Sequence, residues 1–127
     1  MDIEIRIKDG FKTEAKVRKH VIKSDQDCES DGEDCNPNPS EYFLASTGLC
    51  VAHYINAFCK KRDIDTSKIR IMEKATRNDE HRLQVAFKIE LPTDFPEKYK
   101  TALLKAAGSC SVKKAIVEGA DFSMDLV

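Results

Sequence analysis

The side chains best suited to covalent chemistry in this chain are five cysteines, at positions 28, 35, 50, 59 and 110. A thiol in a reducing compartment is a packing residue, a metal ligand or a reactive group. Cys50 is followed by His53 and Tyr54 at the spacing that places all three on one helix face. There His53 could activate the thiol. Spacing alone favours the plainer reading, in which Cys50 packs as a small hydrophobe while His53 hydrogen-bonds something buried. An apolar surround raises a thiol pKa and a mid-helix position gains nothing from the dipole, so a reactive Cys50 requires a cation brought from elsewhere. Cys110 sits at the first position of a short helix capped by Ser109, with Lys113 and Lys114 following. A helix N-terminus and nearby cations lower a thiol pKa, so local reasoning makes Cys110 the more acidic of the two. A packing cysteine at a helix junction fits the same residues. Cys59 lies on the opposite face of the helix from Cys50 and reads as core. Cys28 and Cys35 sit among carboxylates with no Cys-x-x-Cys pair, and read as surface thiols before zinc ligands or a loop disulfide.

The element that must position Cys50 is a helix over 38–62. Asn38 and Glu41 have the capping-box spacing, Pro39 suits the first helical position, and Lys60, Lys61 and Arg62 suit the negative end. Residues 42–59 are apolar or small almost all round, which predicts burial on every face. Upstream, 1–8 alternates Ile3, Ile5 and Ile7 with Glu4, Arg6 and Lys8, the pattern of a half-buried strand. Asp9-Gly10 signals a hairpin into 11–19, and 20–23 makes a third strand. Residues 24–37 form an acidic loop without an apolar anchor beyond its cysteines. Its glycine stands where a calcium loop has one, but Asn38 replaces the closing glutamate, so no calcium site is read there. Downstream, 68–76 and 81–91 are strands, 96–107 is a second helix, 109–117 a short third, and 120–126 a last strand. Antiparallel strands grouped beside helices make an α+β domain.

The chain has 127 residues and a net charge of −1, with 34% charged residues, which suits one domain, 1–127, with a core of its own. No basic excess points to nucleic acid or an anionic membrane. No apolar run approaches the roughly eighteen residues of a span, and the first ten residues are no signal peptide, so a cytoplasmic protein is expected. Neither a metal nor an organic cofactor is called for.

The stretch NPSEYFLASTGLC resembles the first-cysteine segment of the OsmC/Ohr family, (N/S)P-x-E-L-L-L-A-A-x-G-x-C, the osmotically induced and organic-hydroperoxide-resistance proteins. AAGSCSVKKAI resembles that family's second-cysteine segment, and the intervening elements follow the family's order. Glu41, two residues after Pro39, matches the placement in the general OsmC-like branch. The resemblance implies antiparallel sheets wrapped round a long central helix in an intertwined homodimer. It implies that Cys50 is the peroxidatic nucleophile and that Cys110 resolves its sulfenic acid to a disulfide. It implies an organic hydroperoxide as substrate and a dithiol as reductant. Glu41 and an arginine from the N-terminal strands, Arg18 by position or Arg6 after it, would support the thiolate.

Two functions therefore stand at this point. One is thiol-dependent reduction of organic hydroperoxides by a Cys50/Cys110 pair at a dimer interface. The other is a non-catalytic dimer that binds a small apolar molecule. Metal handling by Cys28 and Cys35 is a third and weaker option.

Overall fold

Two-residue alternation and two short turns build the first part of the chain. Strands β1 (Ile3–Ile7), β2 (Thr13–Val17) and β3 (His20–Ser24) pair antiparallel in that order, with Ile5 opposite Ala15 and Ala15 opposite Ile22. Gly10 turns the first hairpin at φ 61°, and Arg18 turns the second at φ 54°. That left-handed conformation is free for glycine and strained for arginine. The computed structural model describes residues 1–127 and separates into two compact units, Met1–Ala45 and Ser46–Val127.

The acidic loop of the first unit has an anchor that the sequence does not announce. Asp25 is only 1% exposed. Its carboxylate accepts the N–H of Gln26 at 2.8 Å and that of Cys35 at 3.2 Å. Burial works to raise its pKa, but the N–H groups of Gln26, Cys35 and Glu33 outweigh burial and hold the carboxyl below its ordinary value. Gly32 is required here, because a Cβ would lie 1.9 Å from the Gln26 carbonyl oxygen. Lys12 adds an ion pair to Glu33.

Helix α1 (Pro39–Lys60) begins in this unit with a complete capping box. The Asn38 Oδ1 accepts the Glu41 N–H at 3.0 Å, and Glu41 Oε2 accepts the Asn38 N–H at 2.8 Å. The Tyr42 hydroxyl donates to the Lys23 carbonyl at 2.6 Å, tying the first helical turn to β3.

The second unit holds the remainder of α1, the hairpin β4 (Arg70–Arg77) and β5 (Leu83–Glu90), and helices α2 (Lys100–Ala107) and α3 (Ser111–Glu118). Asn78 closes the hairpin by accepting the N–H groups of Glu80 and Arg82 through its side chain, at 3.1 and 2.9 Å. Val51, Ile55, Phe58 and Cys59 form one buried stripe along α1. They cluster with Phe95, Leu103, Ala107 and Cys110, and the inward residues Ile71, Phe87 and Ile89 of the hairpin pack against that cluster. Glu73 also points inward, and accepts the Thr47 hydroxyl at 2.9 Å. Gly48 leaves it room, since a Cβ there would lie 2.7 Å from Glu73 Oε2.

The α+β class and the antiparallel pairings agree with the expectation from sequence, and three details differ. The isoleucines of β1 are not half-buried; Ile7 is 83% exposed. Helix α1 is covered on one stripe, and Leu49 on another face is 72% exposed. Residues 120–126 form no strand, although Phe122, Met124 and Leu126 alternate as a strand would. Alternation selects a face, but a strand also needs a neighbouring edge for its N–H and C=O groups. Residues 120–126 pair with no strand.

Two substitutions test this packing. Leu103→Ala should cost about 2–5 kcal/mol in urea unfolding, because the side chain is fully enclosed in the core. Asn38→Ala should cost about 1 kcal/mol, by loss of the cap.

Candidate thiol site

The site is built where the side of one helix meets the start of another. Gly108 and Ser109 end α2 with N–H groups bonded back to Leu104 and Ala106 at 3.1 and 3.0 Å. Ser109 does not cap the next helix; its hydroxyl donates to the Lys105 carbonyl at 3.3 Å. Cys110 is itself the N-cap of α3, and its Sγ accepts the Lys113 N–H at 3.2 Å. The Cys110 carbonyl accepts the Lys114 N–H at 3.1 Å, the first bond of the helix. The N–H groups of Ser111 and Val112 are the two that remain in the first turn. Helix α1 presents the sulfur of Cys50 to this turn from the side, where both N–H groups favour its ionised form, the Val112 N–H acting on Cys110 as well. The Ser111 Oγ lies 3.9 Å from the same sulfur.

This arrangement separates the two thiols. The Cys110 S–H bonding to Cys50 is the largest influence on Cys50 and lowers its pKa. The Val112 N–H follows, burial opposes, and the Ser111 hydroxyl and N–H add to the lowering. The leading causes are hydrogen-bond donors, so the cationic neighbour expected from sequence is not what makes Cys50 acidic. For Cys110 burial comes first and pushes the thiol up, and its bond to Cys50 pushes the same way against the Lys113 N–H. Cys110 is 1% exposed. The local reading that made Cys110 the more acidic thiol is thereby reversed. A helix N-terminus does act on a cysteine here, but chiefly on one delivered by a different helix. A sulfur that ionises more readily than the thiol beside it is the better nucleophile of the pair, and a second thiol at hand is what the passage from thiolate through sulfenic acid to disulfide needs.

The other candidate residues fall elsewhere. Glu41 is engaged in the capping box of α1. Arg18 is exposed at the β2–β3 turn. Both belong to the first unit. His53 is exposed and packs edge-on against Tyr54, with ring centroids 5.4 Å apart. Cys59 is fully buried, as the sequence implies, and Cys28 and Cys35 are exposed. Cys35, Asp25 and Glu33 offer ligand atoms within 4.8 Å of one another, while Cys28 is not in that group. Lys12 already pairs with Glu33, and the Asp25 oxygens are taken by backbone N–H groups. Sequence reasoning missed Ser111 and Val112. The available signal was the Ser109–Cys110–Ser111 helix start, whose free N–H groups need an acceptor.

The titration consequences follow from the signs. Ionised Cys50 favours the folded state, so its contribution is present above the ordinary thiol pKa of about 8.5 and is lost as pH falls through the lower folded value. Cys110 has the opposite sign: its pKa is raised, and its contribution is lost as pH rises. Alkylation followed by peptide mass spectrometry should therefore modify Cys50 at lower pH than Cys110. Cys110→Ala removes the main donor and should move the Cys50 midpoint upward; an unchanged midpoint would separate the two sulfurs.

The profile of the OsmC-like protein family matches residues 30–125. No curated protein matches the sequence significantly. Several solved structures share the fold at low identity. A provisionally named osmotic stress induced and detoxification response protein of Psychrobacter arcticus is 17% identical with a TM-score of 0.75, over 89% of this chain and 85% of that one. An organic hydroperoxide resistance protein of Elizabethkingia anophelis is 19% identical with a TM-score of 0.62, over 91% and 87%. The Legionella pneumophila organic hydroperoxide resistance protein OsmC is 18% identical with a TM-score of 0.61, over 91% and 89%. With the family profile covering most of its length and both cysteine segments, the chain belongs to the OsmC-like family.

Proposed function

We propose that this protein reduces organic hydroperoxides with the Cys50/Cys110 pair, as a cytoplasmic homodimer recharged by a dithiol. The observation that carries this reading is that Cys50 packs against the core cluster that holds Cys110, with its Sγ 3.9 Å from Ser111 Oγ at the start of α3, and that the Cys110 thiol lowers its pKa. The Cys50 thiolate attacks the terminal oxygen of R–O–O–H. The S–O bond forms, the O–O bond breaks, and the alkoxide leaves and takes a proton from water. The Cys110 sulfur then attacks the sulfenic sulfur of Cys50, giving a disulfide and releasing water. A dithiol reduces that disulfide by exchange through a mixed disulfide.

The substrate class is supported by the names of the Elizabethkingia and Legionella relatives. A second copy of the chain would cover the isoleucines of β1 and the outer face of α1, where Phe43 and Leu49 are exposed. Arg18 and Glu41 serve in this reading as supporting groups, on the family resemblance, and the two compact units act as one domain. No helix is long and apolar enough to cross a membrane. A reducing cytoplasm would keep all five thiols free between turnovers.

The test is consumption of an organic hydroperoxide with dihydrolipoamide as reductant. Cys50→Ser should fall to the uncatalysed rate. Cys110→Ser should complete one turnover and stop at the sulfenic acid, which a dimedone-type probe would trap. Equal rates for wild type and Cys50→Ser would remove Cys50 from the mechanism. No consumption by wild type would leave the non-catalytic binding dimer. Sedimentation should give twice the chain mass.

A further inference from the structure

Ser111 stands in an unusual position for a first helical residue. It is exposed, while Cys110 before it is buried and the Cys50 sulfur it faces is half-buried. Its Oγ is 3.9 Å from Cys50 Sγ, within reach of the long hydrogen bonds that sulfur accepts. Its N–H belongs to the first turn of an eight-residue helix, where no carbonyl of that helix can accept it. The Lys113 N–H is already taken by Cys110 Sγ. One residue thus sets a rotatable hydroxyl beside the Cys50 sulfur and carries at the same helix start a backbone N–H that its own helix does not satisfy.

We propose that Ser111 is a catalytic residue of the thiol site, holding the Cys50 thiolate through its hydroxyl and its backbone N–H. The proposal rests on the reading of Cys50 as the nucleophile. Cys110 cannot carry this role through the whole cycle. Once its sulfur attacks the sulfenic acid and becomes half of the disulfide, it has no S–H to give. When the exchange with a dithiol frees Cys50 again as a leaving thiolate, the donors still in place are those of the α3 turn. Ser111 therefore acts in both half-reactions: it keeps Cys50 ionised for attack on the peroxide, and it stabilises the same sulfur as it departs from the disulfide. The cost is a less nucleophilic sulfur. Nucleophilicity falls with thiol pKa by a factor less than the gain in thiolate fraction, so at neutral pH the exchange is favourable.

Three variants of the full-length protein separate the donors. Ser111→Ala removes the hydroxyl and keeps the N–H. Ser111→Thr restores a hydroxyl. Ser111→Pro removes both donors at a helical position that tolerates proline. The readout is the pH midpoint of Cys50 alkylation by iodoacetamide, resolved by peptide mass spectrometry. Ser111→Ala should move the midpoint up by about one pH unit, the weight of a hydrogen bond to a charged group. With the compensating gain in nucleophilicity, its alkylation rate at neutral pH should fall only about threefold. Ser111→Pro should move the midpoint further, and Ser111→Thr should return it toward wild type. If alanine and threonine variants, both folded by circular dichroism, titrate like wild type, the proposal is overturned. The midpoint does not depend on turnover, so a wild-type protein without peroxidase activity would count against the functional reading while this result still decided the role of Ser111.

Discussion

The interaction on which the site depends is the meeting of one helical turn with two sulfurs. An α-helix begins with N–H groups that no carbonyl of its own can accept. In α3 that of Lys113 goes to the Cys110 sulfur, and those of Ser111 and Val112 favour the ionised form of Cys50 beside them. Moving the Cys110 sulfur would strand the Lys113 N–H, so the turn fixes that sulfur. The same turn separates the two in acidity, because the Cys110 thiol and the α3 donors favour the ionised form of Cys50. Acidity and proximity thus come from one local geometry. A cation would supply only the first of these.

The supports of this geometry lie in the core of the second unit. Val51, Ile55 and Phe58 hold one stripe of α1 against the hairpin and against Leu103 and Ala107 of α2. Cys110 is a member of that cluster as well as the cap of α3. A buried capping sulfur is an economical joint, since it fills core volume and ends a helix with one side chain. Ionising it would cost more than ionising an exposed thiol, which is why its pKa rises while that of its neighbour falls. Glu73 and Thr47 add a polar clasp at Gly48, two residues before Cys50 on α1.

What the sequence reveals follows the range of the interaction. The Asn38/Glu41 capping box, the β1–β2 and β4–β5 hairpins and the α2 stripe involve neighbours in the chain, and their residue types announce them. The nearness of Cys50 to Cys110 was available through family resemblance alone, since fifty-nine intervening residues fold before the two meet. Their relative acidity was misread because each cysteine was judged by its own helix, whereas the deciding donors cross from α3 to α1. Asp25 gives no signal at all: among six carboxylates in one loop, only backbone closure around it marks it as the anchor. The missing last strand is the converse case, a correct pattern without an edge to pair with.

The most direct test of this account is a carbon-13 NMR titration of cysteine Cβ resonances, assigned by single substitutions. The account predicts that the Cys50 carbon moves on ionisation below the ordinary thiol range, while that of Cys110 stays at its protonated position well above it. Coincident titration of the two near pH 8.5, the unperturbed thiol value, would contradict it.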